Sequence, residues 1–237
     1  MRLDNRRYYD EFSVSYERHR HSGYHAFIDD LESSLVRRYV TPSSTVLEAG
    51  CGTGLVLSRI APHVKRAVGV DLSGGMLRQA SQRKLQVVQG SVTALPFADA
   101  SFDMVCSFKV LAHVEQITLA MSELARVPRP GGFLCTEFYN TRSLRYLIKR
   151  AWGPRRTSSA FDEGAIETRF ITPREAEACL PAGTRLVDRA GIRITTPHPI
   201  VCRLPVIGRA HEGVEWALMR SPLAALAGFY VFVVERL

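Results

Sequence analysis

A chain of 237 residues, 46% apolar and 23% charged, is long enough to bury a full core and too apolar to stay disordered. Its formal charge of +8, from 31 Lys and Arg against 23 Asp and Glu, favours acidic partners without naming one. The opening MRLDNRRYYDEF lacks the apolar stretch of a secretory signal, and no apolar run reaches the roughly 20 residues of a membrane-spanning helix. The cysteines (Cys51, Cys106, Cys135, Cys179 and Cys202) are scattered and form no CxxC pair, as expected of reduced thiols in a cytoplasmic protein.

Taken in chain order, residues 1–40 read as helical. TVLEAG (45–50) reads as a strand, followed by a helix from about Thr53 to Ala61 that Pro62 stops. RAVGVDLS (66–73) is the next strand, GGMLRQASQR (74–83) a helix, and LQVVQG (85–90) a third strand. FDMVCSF (102–108) is nearly all apolar, as a strand buried on both faces of a parallel sheet should be. A helix from about Glu115 to Val127 sets Ile117, Met121 and Leu124 on one face, and PRPGG (128–132) turns into a strand over 133–140. Beyond it lie a basic amphipathic run, RSLRYLIKRAWGPRR, and a helix starting at Pro173 with Thr172 as N-cap. Strands over 184–195 and 229–237 follow, separated by a long Pro-containing segment. Such alternation predicts an α/β domain with one doubly wound, mostly parallel sheet, spanning 1–237. Its parts are an N-terminal helical lid (1–40), a core (45–140) and cap insertions (141–180 and 196–228).

In such a sheet ligands bind at the carboxyl ends of the strands, where strand order reverses. The first strand ends in Glu48, Ala49, Gly50, Cys51, Gly52, Thr53 and Gly54, whose glycines let a ligand approach the main chain. The second ends in Asp71, a carboxylate able to take both hydroxyls of a ribose, with Leu72 beside it as a wall for a purine. The spacing is GxGxG rather than GxGxxG, and an acidic Glu48 suits a cationic ligand better than a pyrophosphate. Together these residues predict a site for S-adenosyl-L-methionine.

VLEAGCGTG, VGVDLSGGML, GSVTALPFADASFDMVCSFKVLAHV and ELARVPRPGGFL resemble, in order, the motifs of class I S-adenosylmethionine-dependent methyltransferases, UbiE-like or "methyltransferase 11" type. The match spans about residues 45–140. The resemblance implies a seven-stranded Rossmann-like sheet whose last strand, here 229–236, runs antiparallel. It also implies that Glu48, Gly50, Gly52 and Gly54, with Cys51 in the same turn, hold the methionine part, and Asp71 the ribose. Leu72, Met76, Ser91 and Val92 would surround the adenine, and Ser107 would open the loop facing the sulfonium. Ser91 stands where relatives usually carry Asp, and Pro128-Arg129 where they carry Leu-Lys or Leu-Arg.

Tyr8, Phe12 and Tyr16 form one helix stripe; the resemblance makes it a cover for the cofactor, with Tyr16 against it. Methyl transfer from a sulfonium depends mostly on positioning, and a general base is needed only for an unionised acceptor. By the same resemblance His113, after the fourth strand, is the candidate base, and Tyr139 points toward the strand ends. His198 and His211 are candidates for the acceptor pocket, with Glu212 placed to orient His211. His19, His21 and His25 lack accompanying carboxylates, so no metal is expected. The basic run around Trp152, from Arg142 to Arg156, reads as the solvated face of a cap helix, or as contact with a membrane surface or a lipophilic or acidic acceptor. The acceptor expected is a small molecule (a quinone, a polyketide or another secondary metabolite), and the protein is expected to be a monomer or homodimer. The alternatives are an RNA methyltransferase and a noncatalytic adenosylmethionine-binding protein. The absence of an NPPY-type motif after the fourth strand, where Ser107-Phe108-Lys109-Val110 stands, argues against nucleic acid.

Overall fold

The computed structural model describes residues 4–18, 20, 23–152, 168–196 and 205–237. Seven strands form one sheet in the order β3-β2-β1-β4-β5-β7-β6. They are β1 Thr45–Ala49, β2 Arg66–Asp71, β3 Gln86–Gln89, β4 Phe102–Ser107, β5 Pro128–Tyr139, β6 Thr184–Ile192 and β7 Phe229–Arg236. β1 pairs in parallel with both β2 and β4, and β7 runs antiparallel to β5 and β6. The strand order therefore reverses between β1 and β4, and beyond Ala49 and Ser107 lies the switch point where such sheets form a ligand crevice.

The helices are α1 Asn5–Tyr16, α2 Tyr24–Arg37, α3 Leu55–Ile60, α4 Gly74–Gln82, α5 Ile117–Arg126, α6 Leu144–Trp152, α7 Pro173–Ala178 and α8 Pro205–Leu218. Side chains alternate across each strand, so each strand feeds two cores. Val46, Met104, Cys106, Cys135, Val231 and Val233 pack with Leu31 and Leu35 of α2. Leu47, Val105, Leu134 and Phe232 pack with Met121 and Leu124 of α5. This period of two puts Glu48, which follows Val46, on the α2 side, and with it Glu137, which follows Cys135.

One expectation is corrected. PRPGG is not a turn before the strand: β5 begins at Pro128, pairs it with Phe102, and passes an irregularity before regular pairing resumes at Phe133. The backbone is tight there, since a Cβ on Gly132 would stand 2.9 Å from the Asp103 carbonyl oxygen. The segment before β7, read from the sequence as a cap insertion, contains α8, which begins at Pro205, a residue suited to a helix's first turn. α7 starts as the sequence indicates: the Thr172 side chain accepts from Glu175 N–H and the Glu175 carboxylate accepts from Thr172 N–H, a reciprocal cap. No helix among the described residues is long and apolar enough to cross a membrane.

Candidate active site

The turn after β1 is held from behind. Gly50 and Cys51 N–H both donate to the Val70 carbonyl, at 2.7 and 3.0 Å, and the Ser107 hydroxyl donates to the Ala49 carbonyl at 2.9 Å. Gly50 (φ 79°) is pressed against the β4 loop, because a Cβ there would lie 2.1 Å from Val110 Cγ2. Gly52 (φ 53°) is the opposite case: a Cβ would meet nothing within 4 Å and would project into open space. The loop thus presents bare backbone to a crevice and a packed back to the protein.

Asp71 ties this turn to α4. Its Oδ2 accepts from Gly52 N–H and its Oδ1 from Ser73 N–H, each at 2.8 Å. Burial pushes its carboxyl up, partly offset by those backbone bonds. Glu48 is buried at 3% exposure, and one of its oxygens lacks a hydrogen-bond partner. Burial first and then the nearby Glu32 hold its carboxyl well above the usual range. A fully desolvated carboxyl with an unused oxygen is a place where a cation would be well received.

The other expected cofactor residues are distributed around this crevice. Leu72 is 40% exposed at its rim, while Met76 is buried in the core and its N–H is capped by the Ser73 hydroxyl. The Ser91 and Thr93 hydroxyls are hydrogen-bonded at 2.7 Å, and Val92 between them is buried. The Cys51 side chain is buried, with its Sγ 2.5 Å from where a Cβ on Gly69 would stand, so only its backbone borders the turn.

α1 closes over α4 beside Asp71. The Asp10 Oδ1 accepts from the Ser73 hydroxyl at 2.6 Å and from Gly75 N–H at 2.8 Å, which lowers the Asp10 carboxyl below its ordinary range. Gln79 donates to the Ser13 carbonyl, and Arg83 pairs with Glu17 at 2.7 Å. Along α1, Tyr8, Phe12 and Tyr16 form the expected stripe, with ring centroids 5.8 and 5.3 Å apart. Asp10→Ala is expected to cost about 1–2 kcal/mol in urea denaturation, through loss of a charged acceptor for two donors.

His113 and Tyr139 come together: their rings are 5.9 Å apart, and Tyr9 packs edge-on against His113 at 6.2 Å. Burial keeps the hydroxyls of Tyr9 and Tyr139 protonated far above neutral pH, which makes them donors rather than bases. α6 turns a basic residue inward, with the Arg145 guanidinium 5.4 Å from the Tyr139 ring and 5.5 Å from that of Phe229. Its Leu144 and Leu147 stay about half exposed, at 50% and 53%. His211 lies elsewhere. Its Nε2 contacts the hydroxyls of Thr195 and Thr196, and Glu215, not Glu212, is the carboxylate within 3.7 Å. Glu215 accepts from Ile194 and Thr195 N–H as well, so this cluster anchors α8 to the end of β6. His19, His21, His198, Arg155 and Arg156 lie outside the described residues. Among the described residues, no group of three or more His, Cys, Asp or Glu could hold a metal.

One group was not singled out by the sequence. Lys109 Nζ stands 3.0 Å from Asp29 Oδ1 and 2.9 Å from Glu32 Oε1, both on α2, and its N–H donates to Glu137 Oε1 at 3.2 Å. Burial pushes Glu32 up to about 7 against the pull of Lys109, and pushes Glu137 well above the carboxylate range. Asp29 stays low despite burial because Lys109 and Arg20 outweigh it. The available signal was the alternation that sets Glu48 and Glu137 on one sheet face, with Asp29 and Glu32 at i, i+3 on the helix covering it.

Comparison with known proteins follows the same lines. A family model described as "Methyltransferase domain" matches residues 47–136. A malonyl-[acyl-carrier protein] O-methyltransferase of Serratia marcescens is 34% identical over 199 residues, covering 80% of this chain and 74% of that one. A demethylmenaquinone methyltransferase of Mycobacterium sp. (strain KMS) is 37% identical over 106 residues, covering 45% of this chain. The matched part is 46% of that relative, so the chain spans less than half the length of this and similar curated relatives. A solved SAM-dependent methyltransferase of Thermotoga maritima superposes with a TM-score of 0.66 at 18% identity, covering 97% of this chain and 98% of the other. The seven-stranded sheet with its glycine turn at the β1–β4 switch point is thus a Rossmann-like methyltransferase fold. The chain belongs to the class I S-adenosylmethionine-dependent methyltransferases.

Proposed function

We propose that the protein transfers the methyl group of S-adenosyl-L-methionine to a small-molecule acceptor. The observation that carries this reading is the β1–β4 crevice: Asp71 at its edge, open space over Gly52, and the unpartnered oxygen of a buried Glu48. The residues fit the cofactor. Asp71 would take the ribose hydroxyls, the turn from Gly50 to Gly54 the methionyl backbone, Glu48 its ammonium, Leu72 and Val92 the adenine surroundings, and Ser107 and Tyr16 the region of the sulfonium. When bound, the cofactor supplies an electrophilic methyl carbon on a positively charged sulfur.

This chain's own groups then orient the acceptor and exclude water. His113 would accept a proton from an unionised acceptor, while Tyr139, held protonated, would donate a hydrogen bond to it. Tyr9 on α1 would close the aromatic wall. An aromatic chamber with inward-facing Arg145 suits a planar or acidic acceptor, in keeping with the quinone and acyl substrates in the names of the two relatives. A general base typically contributes about 100-fold or more. His113→Ala is therefore expected to lower turnover by about that factor with little change in cofactor affinity. The check is methyl transfer from labelled adenosylmethionine across a panel of quinols, phenols and acyl thioesters, beside cofactor titration. Equal turnover would remove His113 from the chemistry, and cofactor binding without transfer to any acceptor would favour a noncatalytic role.

A further inference from the structure

Lys109 occupies a backbone conformation that favours glycine, with φ 60°. A lysine retained there must return something through its side chain. Its side chain is 22% exposed, and its ammonium is shared between Asp29 and Glu32, whose side chains are 1% and 0% exposed. Its N–H holds Glu137, and the next residue, Val110, packs against the backbone of Gly50. One residue therefore joins α2, β5 and the glycine turn.

The charges facing this cluster come from several elements. α2 contributes Asp29, Glu32 and His25, and the turn before it Arg20, which reaches Asp29 at 3.5 Å. α3 contributes Arg59, 3.8 Å from Asp29. β1 contributes Glu48, which feels Glu32, Lys109 and Asp29. Cys106 and Cys135 lie below, with thiols that burial pushes up, and Tyr16 and Tyr139 lie above. Arg20 and Arg59 serve Asp29; among the described residues, Lys109 is the cation within ion-pair distance of Glu32.

We infer that Lys109 is a positioning residue for the cofactor's methionyl end: by offsetting the negative charge of Asp29 and Glu32 it eases the ionisation of Glu48 opposite the cofactor's ammonium. The inference rests on the function proposed above. Without the lysine, the carboxyls of Asp29 and Glu32 would face Glu48 on the same side of the sheet with less compensating charge, so ionising Glu48 as the cofactor binds would cost more and release more protons. Burial already pushes Glu32 up to about 7 with the lysine in place. Removing the lysine leaves more of the cluster protonated.

The test is titration calorimetry with S-adenosylmethionine and with S-adenosylhomocysteine, which keeps the ammonium but has a neutral sulfur. It is run from about pH 6 to about pH 9 in two buffers of different ionisation heat, which counts the protons released. For Lys109→Met both ligands are expected to bind about tenfold or more weaker near neutral pH, to recover as pH rises, and to release more protons than in the wild type. Lys109→Arg and the double variant Lys109→Met/Glu32→Gln are expected to restore most of the affinity, since one replaces the charge and the other removes what it neutralises. A loss equal at every pH, with an unchanged proton count and no rescue, would overturn the inference. If Lys109→Met does not fold, Glu32→Gln alone decides: it is expected to bind as tightly as the wild type with fewer protons exchanged, and weaker binding would overturn the inference. Wild-type protein that is folded by circular dichroism but binds neither ligand would remove the cofactor reading itself, a separate outcome.

Discussion

Asp71→Ala is expected to weaken adenosylmethionine binding by about 100-fold or more while leaving the sheet folded. A carboxylate accepting from two ribose hydroxyls forms charge-assisted bonds worth about 1.5–3 kcal/mol each, so losing both costs at least about 3 kcal/mol. The same carboxylate also receives Gly52 and Ser73 N–H at 2.8 Å, and its removal frees the glycine turn from α4. The fold has little else at stake there, because Asp71 is the last residue of β2 and lies at the rim. Titration calorimetry with circular dichroism of the same samples checks both halves. Unchanged affinity would exclude Asp71 from ribose binding.

Gly52→Ala should separate binding from stability more sharply. The left-handed φ of 53° costs an alanine about 1 kcal/mol, but its methyl group would touch no protein atom within 4 Å. A modest fall in stability should therefore accompany a cofactor affinity lowered by about tenfold or more, because the methyl group enters the space the cofactor needs. Gly50→Ala is the contrasting case. Its Cβ would stand 2.1 Å from Val110 Cγ2 as well as at φ 79°, so stability itself should fall by about 2 kcal/mol or more. Denaturant melts and calorimetry on the pair distinguish the two effects. Equal binding by Gly52→Ala and wild type would place the cofactor away from this turn.

The parallel part of the sheet was legible because each strand carries a continuous apolar run flanked by turn residues, as FDMVCSF does in β4. The glycine turn was legible because its residues are consecutive: Glu48 to Gly54 lie on one strand end and one loop. The start of β5 was not, since PRPGG has the composition of a turn while the backbone pairs Pro128 with Phe102 through an irregularity. Nor was α8, whose Pro205 and Gly208 weaken the helical signal, while the bonds of Glu215 to Ile194 and Thr195 N–H hold the helix in place. The Lys109 cluster was least legible, as Asp29, Glu32, Lys109 and Glu137 meet only when α2 packs over the strand ends. In the sequence each looks like an ordinary surface charge. His113 and Tyr139, by contrast, were both expected near the strand ends, and their rings are 5.9 Å apart.

The most direct measurement is a crystal structure of the protein soaked with S-adenosylhomocysteine. The ribose hydroxyls are expected on Asp71, the amino acid end along Gly50 to Gly54 with its ammonium toward Glu48, and the sulfur facing the space bounded by Ser107 and His113. Density for the nucleoside at any other place on the molecule, or none at the β1–β4 crevice in a crystal whose lattice leaves it open, would contradict the account.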